Sequence, residues 1–228
     1  MSETHHLVDT FYGTCAGIYD TVATAPAVRP WRARCVEELA LSPGDTVVDM
    51  GCGTGANFPA LRERVGPEGT VVGVDLVGAM LRQARRRAER NDWANVHVVQ
   101  GDATRPPVET ADALVSTFVV GMFDDPGAAV RSWVRTVRPG GRVALLNAAR
   151  SNRPALWPAN LLFRAFTRLT APGHRLRLRS PTRNLERRWG DSVDALFEGT
   201  VDHVEDRLGL GFVVLASGRV PESVQSTA

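Results

Sequence analysis

Residues 46–58, with the sequence TVVDMGCGTGANF, decide how the rest of the chain is interpreted. Val47 and Val48 belong to a β-branched apolar run that is typical of a buried strand, and three alternating glycines interrupt it before a predicted helix. Glycine is needed where the backbone approaches a ligand closely or adopts positive φ, because a side chain would be penalised there. The stretch therefore predicts a strand, a glycine turn and a helix that form a nucleotide cradle.

An acidic residue follows at the spacing expected for the end of a second strand. Asp75 ends the apolar run of residues 70–74 and lies 20 residues after Gly55. In a βαβ unit, an acidic side chain at this point can accept hydrogen bonds from both ribose hydroxyls of an adenosine ligand. The glycine spacing differs from the dinucleotide fingerprint G-x-G-x-x-G, because the glycines here alternate and an aspartate, Asp49, precedes them.

The pattern Asp49-x-Gly51-x-Gly53-x-Gly55 resembles the first motif, D/E-x-G-x-G-x-G, of the class I S-adenosylmethionine-dependent methyltransferases. The resemblance continues in Gly101-Asp102-Ala103 after a third strand, in residues 112–116 at a fourth, and in residues 137–143 before a fifth. It implies an α/β fold: a Rossmann-like seven-stranded sheet in the order 3-2-1-4-5-7-6, with the last strand antiparallel, helices on both faces and a helical lid insertion. It also implies S-adenosylmethionine as the cofactor and S-adenosylhomocysteine as its product.

The same resemblance assigns roles to individual residues. It implies that Asp75 binds the ribose, that Asp102 binds the adenine amino group, and that Thr117 and Phe118 border the transfer site. The complete set implied for the cofactor comprises Tyr19, Asp49, Gly51, Cys52, Gly53, Gly55, Asp75, Leu76, Met80, Gly101, Asp102, Ala103, Thr117 and Phe118.

Two residues outside the glycine motif are candidates for proton chemistry. Residues 16–20, AGIYD, resemble the A-x-x-Y-D phrase that precedes the core in ubiquinone/menaquinone-type methyltransferases, which implies that Tyr19 lines the cofactor pocket. The alternative is that Tyr19 packs its segment onto the core. Tyr19 and His174 are the candidate catalytic residues, since each side chain can take or orient a substrate proton.

Composition limits the class of protein. Of the 228 residues, 43% are hydrophobic and 23% are charged, which is ordinary for a soluble globular protein. Residues 1–30 lack the basic and apolar regions of a secretory signal, so we expect a cytoplasmic protein. Three widely spaced cysteines argue against a disulfide framework or a cysteine-rich metal site, and Asp124-Asp125 before Pro126 indicates a helix N-cap. No metal is predicted.

Charge is distributed unevenly along the chain. Every one of the 27 basic residues is arginine, which excludes a Schiff-base lysine, and residues 150–188 hold 10 of them with one acid. On a helix, residues 161–169 place leucines and Phe166 opposite Arg164 and Arg168, as in an interfacial helix or a hydrophobic substrate mouth. We expect peripheral contact with anionic membrane through residues 154–188. The alternative is a lid whose arginines face water.

These observations predict four parts: an N-terminal helical cap (1–45), a cofactor-binding core (46–149), a basic amphipathic lid insertion (150–199) and a terminal β-hairpin (200–219). The predicted function is methyl transfer to a small, hydrophobic, lipid-like or quinone-like acceptor. A polar metabolite, a natural product and RNA are alternative acceptors, although the Pro-Pro of base-amine methyltransferases is absent from residues 116–119 and nucleic acid is disfavoured. A protein that binds S-adenosylmethionine without catalysis is the alternative from a different class.

Overall fold

The computed structural model describes residues 25–161 and 181–222, with side chains in the second segment described from residue 184. The elements in chain order are α1 (Arg29–Glu37), β1 (Thr46–Met50), α2 (Phe58–Val65), β2 (Thr70–Asp75), α3 (Gly78–Arg90), β3 (Val96–Gln100), β4 (Ala111–Thr117), α4 (Pro126–Thr136), β5 (Val137–Ala148), α5 (Pro181–Glu198), β6 (Val201–Leu208) and β7 (Val213–Arg219). Short 3₁₀ turns cover Val120–Met122, Pro154–Leu156 and Gly209–Gly211. Residues 157–161 are helical.

The strands form one seven-stranded sheet in the order β3-β2-β1-β4-β5-β7-β6. Strands β1 to β5 pair in parallel, whereas β7 pairs antiparallel with both β5 and β6. The predicted strand order and antiparallel last strand are confirmed. Successive strands are added on one side of β1 up to β3 and on its other side from β4 onwards, so the strand order reverses between β1 and β4. The crevice at the carboxyl ends of these two strands, the switch point, is where such a fold binds ligands.

Two hydrophobic clusters cover the two faces of the sheet. One includes Cys35 of α1, Phe58 of α2 and Leu81 of α3, and the other includes Trp133 of α4 and Leu196 of α5. Because helices cover both faces, the central strands are buried along most of their length, as parallel strands usually are.

Helix α5 lies inside the segment predicted as a lid insertion. Its second half contributes Val193, Ala195 and Leu196 to the core cluster that contains Trp133, so this part of residues 150–199 is a core element. The division of the chain into four parts otherwise stays a prediction. Within residues 25–161 and 181–222, no helix has the length and apolar character needed to cross a membrane.

Several predicted features lie outside the described residues. They include Tyr19 and His174, the two candidates for proton chemistry, and the helical face with Arg164 and Arg168. Their assignments therefore stay predictions.

Candidate functional site

The glycine loop, residues 51–57, connects β1 to α2 at the carboxyl edge of the sheet. Gly51, Gly53 and Gly55 all have positive φ, at +73°, +55° and +78°. At Gly51 a Cβ atom would also lie 2.4 Å from a methyl carbon of Val119, so both backbone conformation and close packing require glycine. The N–H groups of Gly51 and Cys52 donate to the Val74 carbonyl at 2.8 and 3.0 Å, which fixes the loop against β2.

Asp75 lies at the end of β2, directly against this loop. One carboxylate oxygen accepts from the Gly53 N–H at 2.8 Å, and the other accepts from the Val77 N–H at 2.9 Å. Burial raises the pKa of the Asp75 carboxyl, and the N–H groups of Val77 and Gly53 act in the opposite direction. Asp75, the residue predicted to bind the ribose, is therefore held in place by main-chain N–H groups of the glycine loop and of the start of α3.

The segment after β3, residues 101–104, lies next to Asp75. The Asp102 carboxylate accepts from the Thr104 N–H at 2.9 Å and from its hydroxyl at 2.8 Å, so it caps its own turn. The Gly101 N–H donates to the Asp75 carbonyl at 3.0 Å, and the Ala103 carbonyl accepts from the Trp133 indole at 2.7 Å. Asp102, the residue predicted to bind adenine, thus follows the strand next to the one that ends at Asp75.

Three further residues predicted to bind the cofactor, Met80, Leu76 and Cys52, differ in their surroundings. Met80 on α3 is buried, and the Leu76 carbonyl accepts from the Gln100 side chain at 3.0 Å. Cys52 packs its side chain into the core cluster with Phe58, and burial raises the pKa of its thiol well above the ordinary value. Cys52 therefore has the environment of a core residue rather than of a reactive thiol.

A buried polar network lies beneath the glycine loop. The Asn57 amide nitrogen donates to the two carboxylate oxygens of Asp49 at 3.0 and 3.1 Å and to the Thr117 hydroxyl at 3.1 Å. The guanidinium of Arg32, on α1, donates to the Asn57 amide oxygen at 3.0 Å and also to the Thr117 hydroxyl. The network joins β1, the loop and β4 at the point where the strand order reverses.

Asp49 is fully buried in this network. Burial raises the pKa of its carboxyl to about 7, although the hydrogen bond from Asn57 and the positive charge of Arg32 both lower it. Removal from water therefore outweighs the two favourable contacts, because a carboxylate loses its hydration there. Its predicted contact with the cofactor stays a prediction, since the contacts observed for its carboxylate are with Asn57.

Phe118 follows β4 in an unusual backbone conformation, with φ at +64°. Its N–H donates to the Leu146 carbonyl at 2.7 Å, and the Arg32 guanidinium carbon lies 5.1 Å from the centroid of its ring. A left-handed conformation at a bulky residue costs roughly 1–3 kcal/mol and persists where surrounding contacts enforce it. Here the β5 carbonyl and the cation–π contact hold the ring at the switch point.

Three residues near the loop were not predicted as site residues. Arg32 is buried although it is charged, and the available signal was its position three and four residues before the buried Cys35 and Val36 of the same helix. Asn57 lies two residues after the last glycine of the motif, but an asparagine at this position does not by itself predict a role in the site. Arg87, on α3, donates from Nε to the Thr54 carbonyl of the loop at 3.1 Å.

This donor set fits S-adenosylmethionine. Acidic acceptors at the ends of β2 and β3 suit ribose hydroxyls and an exocyclic amine. In the described segments, no group of three or more His, Cys, Asp or Glu is arranged to hold a metal ion.

Comparison with known proteins places these residues in a family context. Residues 47–141 match the family model described as a methyltransferase domain. The chain is 35% identical over 132 residues to nocamycin O-methyltransferase of Saccharothrix syringae, covering 57% of this chain and 47% of that protein. It is 28% identical over 144 residues to demethylmenaquinone methyltransferase of Listeria monocytogenes, covering 62% and 60%. The aligned segment is thus less than two thirds of either relative.

Solved structures share the fold across most of the chain. A structure described as a SAM-dependent methyltransferase from Aquifex aeolicus has a TM-score of 0.63 at 17% identity and covers 90% of this chain and 98% of its own. The [4+2]-cyclase SpnF has a TM-score of 0.66 at 15% identity, covering 94% and 96%. The predicted resemblance to the S-adenosylmethionine-dependent methyltransferases is therefore confirmed: residues 47–141 match a methyltransferase domain, and the chain shares the fold of these solved structures.

Proposed function

We propose that this protein transfers the methyl group of S-adenosylmethionine to a small, hydrophobic, quinone-like or lipid-like acceptor. The observation that carries the proposal is the alignment of three cofactor determinants on adjacent strands: the glycine loop after β1, Asp75 ending β2 and Asp102 after β3. The hydrogen bond between Asp75 and Gly53 couples two of them directly.

The chain's own contribution is binding, alignment and exclusion of water. When bound, S-adenosylmethionine supplies an activated methyl group on a sulfonium, which leaves a neutral thioether after transfer. Asp75 and Asp102 fix the adenosine end, while Thr117 and Phe118 border the switch point next to the buried network. Much of the rate then comes from alignment and desolvation, so a protein nucleophile is not required.

Exposed apolar side chains support a hydrophobic acceptor. Met122, after β4, has 51% of its surface exposed, and Trp157 and Leu161, after β5, have 64% and 49%. All three follow β4 or β5, which are neighbouring parallel strands whose carboxyl ends lie at the same edge of the sheet. Exposed large apolar side chains at this edge favour an apolar ligand. The similarity to a demethylmenaquinone methyltransferase is in line with this acceptor class.

A natural-product acceptor is the second candidate. The observation in its favour is the 35% identity over 132 residues to nocamycin O-methyltransferase. The two candidates differ in the chemical class of the acceptor, so a comparison of acceptor pools separates them.

Peripheral contact with an anionic membrane through residues 154–188 is a separate part of the proposal. Exposed Trp157 beside exposed Arg153 supports it, since tryptophan and arginine favour lipid interfaces. Vesicles of phosphatidylcholine with and without phosphatidylglycerol test this part. We expect binding that requires the anionic lipid and weakens with salt, and an equal response to both vesicles would exclude it.

Methyl transfer from labelled S-adenosylmethionine tests the proposed function. Lipid extract, small metabolites and RNA are incubated separately with the wild type, with Asp75→Asn, and with Asp194→Asn as an exposed control on α5. We expect label in the lipid or small-metabolite pool, lost in Asp75→Asn and retained in Asp194→Asn. Binding of S-adenosylmethionine without label in any pool would favour the non-catalytic class.

A further inference from the structure

The carboxyl end of β5 carries a buried amide that the fold does not use. Asn147, the penultimate residue of β5, is 3% exposed. Among the described residues, its amide nitrogen has no hydrogen-bond acceptor. More than nine in ten buried polar groups in folded proteins are paired, and an unpaired one costs about 1–3 kcal/mol.

The position of Asn147 relates it to the transfer site. The preceding residue, Leu146, pairs with Thr117 of β4, and its carbonyl accepts the N–H of Phe118. Asn147 itself pairs with Val214 on β7. Asn147 therefore lies one residue beyond the strand position that pairs with Thr117, and its side chain points to the opposite face of the sheet from that of Leu146.

The Asn147 amide lies beside Gly121 and the Leu185 side chain, and it is not open to solvent. Its nitrogen lies 3.4 Å from the point where a Cβ of Gly121 would stand, and Leu185 of α5 reaches within 2.3 Å of the same point. Gly121 does not have positive φ, so the requirement for glycine here comes from space rather than from backbone conformation. The Gly121 carbonyl is already the acceptor for Arg188, at 2.8 Å.

We propose that the Asn147 amide donates a hydrogen bond to an oxygen of the methyl acceptor and so selects acceptors that carry a carbonyl, phenol or hydroxyl group. This inference rests on the proposed function and names the feature of the acceptor that the site recognises. Gly121 and Leu185 supply the apolar surface beside that oxygen, and Asn147 supplies the donor. A site with a buried donor discriminates strongly against an analogue that lacks the matching oxygen, because the donor then stays unpaired.

Asn147 acts as a specificity residue in this account, and an apolar replacement separates that role from a structural one. In Asn147→Leu the amide is replaced by an apolar group of similar size. Since no described residue pairs with the amide nitrogen, we expect the melting temperature to be unchanged or higher. Asn147→Ala provides a smaller replacement, and Asn152→Leu is the matched control, because Asn152 is an exposed amide just beyond β5.

The test measures S-adenosylhomocysteine affinity, thermal unfolding and methyl transfer to a prenylated naphthoquinol, to 4-hydroxybenzoate and to thiophenol, which lacks oxygen. In Asn147→Leu and Asn147→Ala we expect KM for the oxygen acceptors to rise at least about tenfold. S-adenosylhomocysteine affinity should be unchanged in both, and Asn152→Leu should match the wild type in every measurement.

Four results would overturn this inference while leaving cofactor binding intact. They are an unchanged KM, a lowered melting temperature in Asn147→Leu, label only on thiophenol, and no label on any oxygen acceptor by a wild type that binds S-adenosylhomocysteine. A wild type that fails to bind S-adenosylhomocysteine would instead overturn the proposed function and this inference together.

Discussion

The side of the crevice that we propose for the cofactor, called the cofactor side, and the side that we propose for the acceptor, called the acceptor side, satisfy their polar groups differently. On the cofactor side, which comprises the glycine loop, Asp75 and Asp102, the carboxylates accept hydrogen bonds from neighbouring main-chain N–H groups. On the acceptor side, which comprises Phe118, Gly121, Asn147 and Leu185, a buried amide nitrogen stays unpaired and a bulky residue adopts positive φ.

This difference indicates which side is complete without a ligand. The cofactor side is arranged by local contacts, so its geometry is ready before the cofactor binds. The acceptor side retains an unpaired donor and exposed apolar surface, both of which a ligand can cover. We therefore expect substitutions on the cofactor side to lower both the unfolding free energy and the cofactor affinity. Substitutions on the acceptor side should change mainly the KM for the acceptor.

The largest effect is expected at Arg32, which joins the two sides. Arg32→Met removes hydrogen bonds from a charged donor to Asn57 and Thr117 and removes a positive charge near Asp49. We expect the free energy of unfolding in urea to fall by about 3 kcal/mol. Arg29→Met is the control, since Arg29 is exposed at the start of the same helix. Equal losses in both variants would contradict the account.

The next effect concerns the glycine loop. Gly51→Ala combines positive φ with a Cβ position 2.4 Å from Val119, so we expect a loss of about 2 kcal/mol in unfolding free energy and weaker cofactor binding. Gly44→Ala is the matched control, because Gly44 has φ +94° but open space around it. Adding Val119→Ala to Gly51→Ala should recover part of the loss. A neutral Gly51→Ala would show that the loop is not rigidly packed.

The third prediction concerns pH and Asp49. Because its pKa is about 7 in the folded protein against an ordinary 3.8, the folded state binds more protons than the unfolded state between these values. The unfolding free energy should therefore fall as pH rises from about 4 to 7, by at most about 1.4 kcal/mol per pH unit, and then level off. Asp49→Asn should remove this component, whereas the exposed Asp194→Asn should keep it. Identical pH profiles for Asp49→Asn and the wild type would exclude a raised pKa.

The smallest effect on stability is expected on the acceptor side. In Gly121→Ala the new Cβ meets the far end of the Leu185 side chain, which can move, and φ is ordinary. We expect unfolding free energy to change by less than about 1 kcal/mol and S-adenosylhomocysteine affinity to be unchanged, while KM for the acceptor rises. Adding Leu185→Ala to Gly121→Ala should restore space for the new methyl group. A stability loss as large as that of Gly51→Ala would remove the distinction between the two sides.

Sequence alone predicts where the glycine loop and Asp75 lie in the fold, because they are close together in the chain. Asp49, the glycines and Asp75 fall within one βαβ unit, where spacing fixes their relative positions. The strand order was likewise predicted from motifs in family order. By contrast, Arg32 meets Thr117 and Phe118 only after folding, and Gly121 meets Asn147 and Leu185 in the same way. No local pattern encodes such contacts, so Arg32, Gly121 and Asn147 were not predicted as site residues, and Thr117 and Phe118 were predicted only from the family resemblance.

Helix α5 shows the same limit in the fold itself. Its sequence lies in an arginine-rich segment, which favoured a lid, yet Val193 and Leu196 recur at helical spacing and pack against α4. Charge counted over the whole segment obscured the apolar stripe of its second half.

Calorimetric titration with S-adenosylhomocysteine tests the central claim, that the glycine loop and Asp75 form the cofactor site, most directly. The account predicts binding of one ligand per chain to the wild type and to Asp194→Ala. It predicts that Asp75→Ala weakens this binding at least about tenfold, which corresponds to about 1.4 kcal/mol. Undiminished binding by Asp75→Ala, or no binding by the wild type, would contradict it.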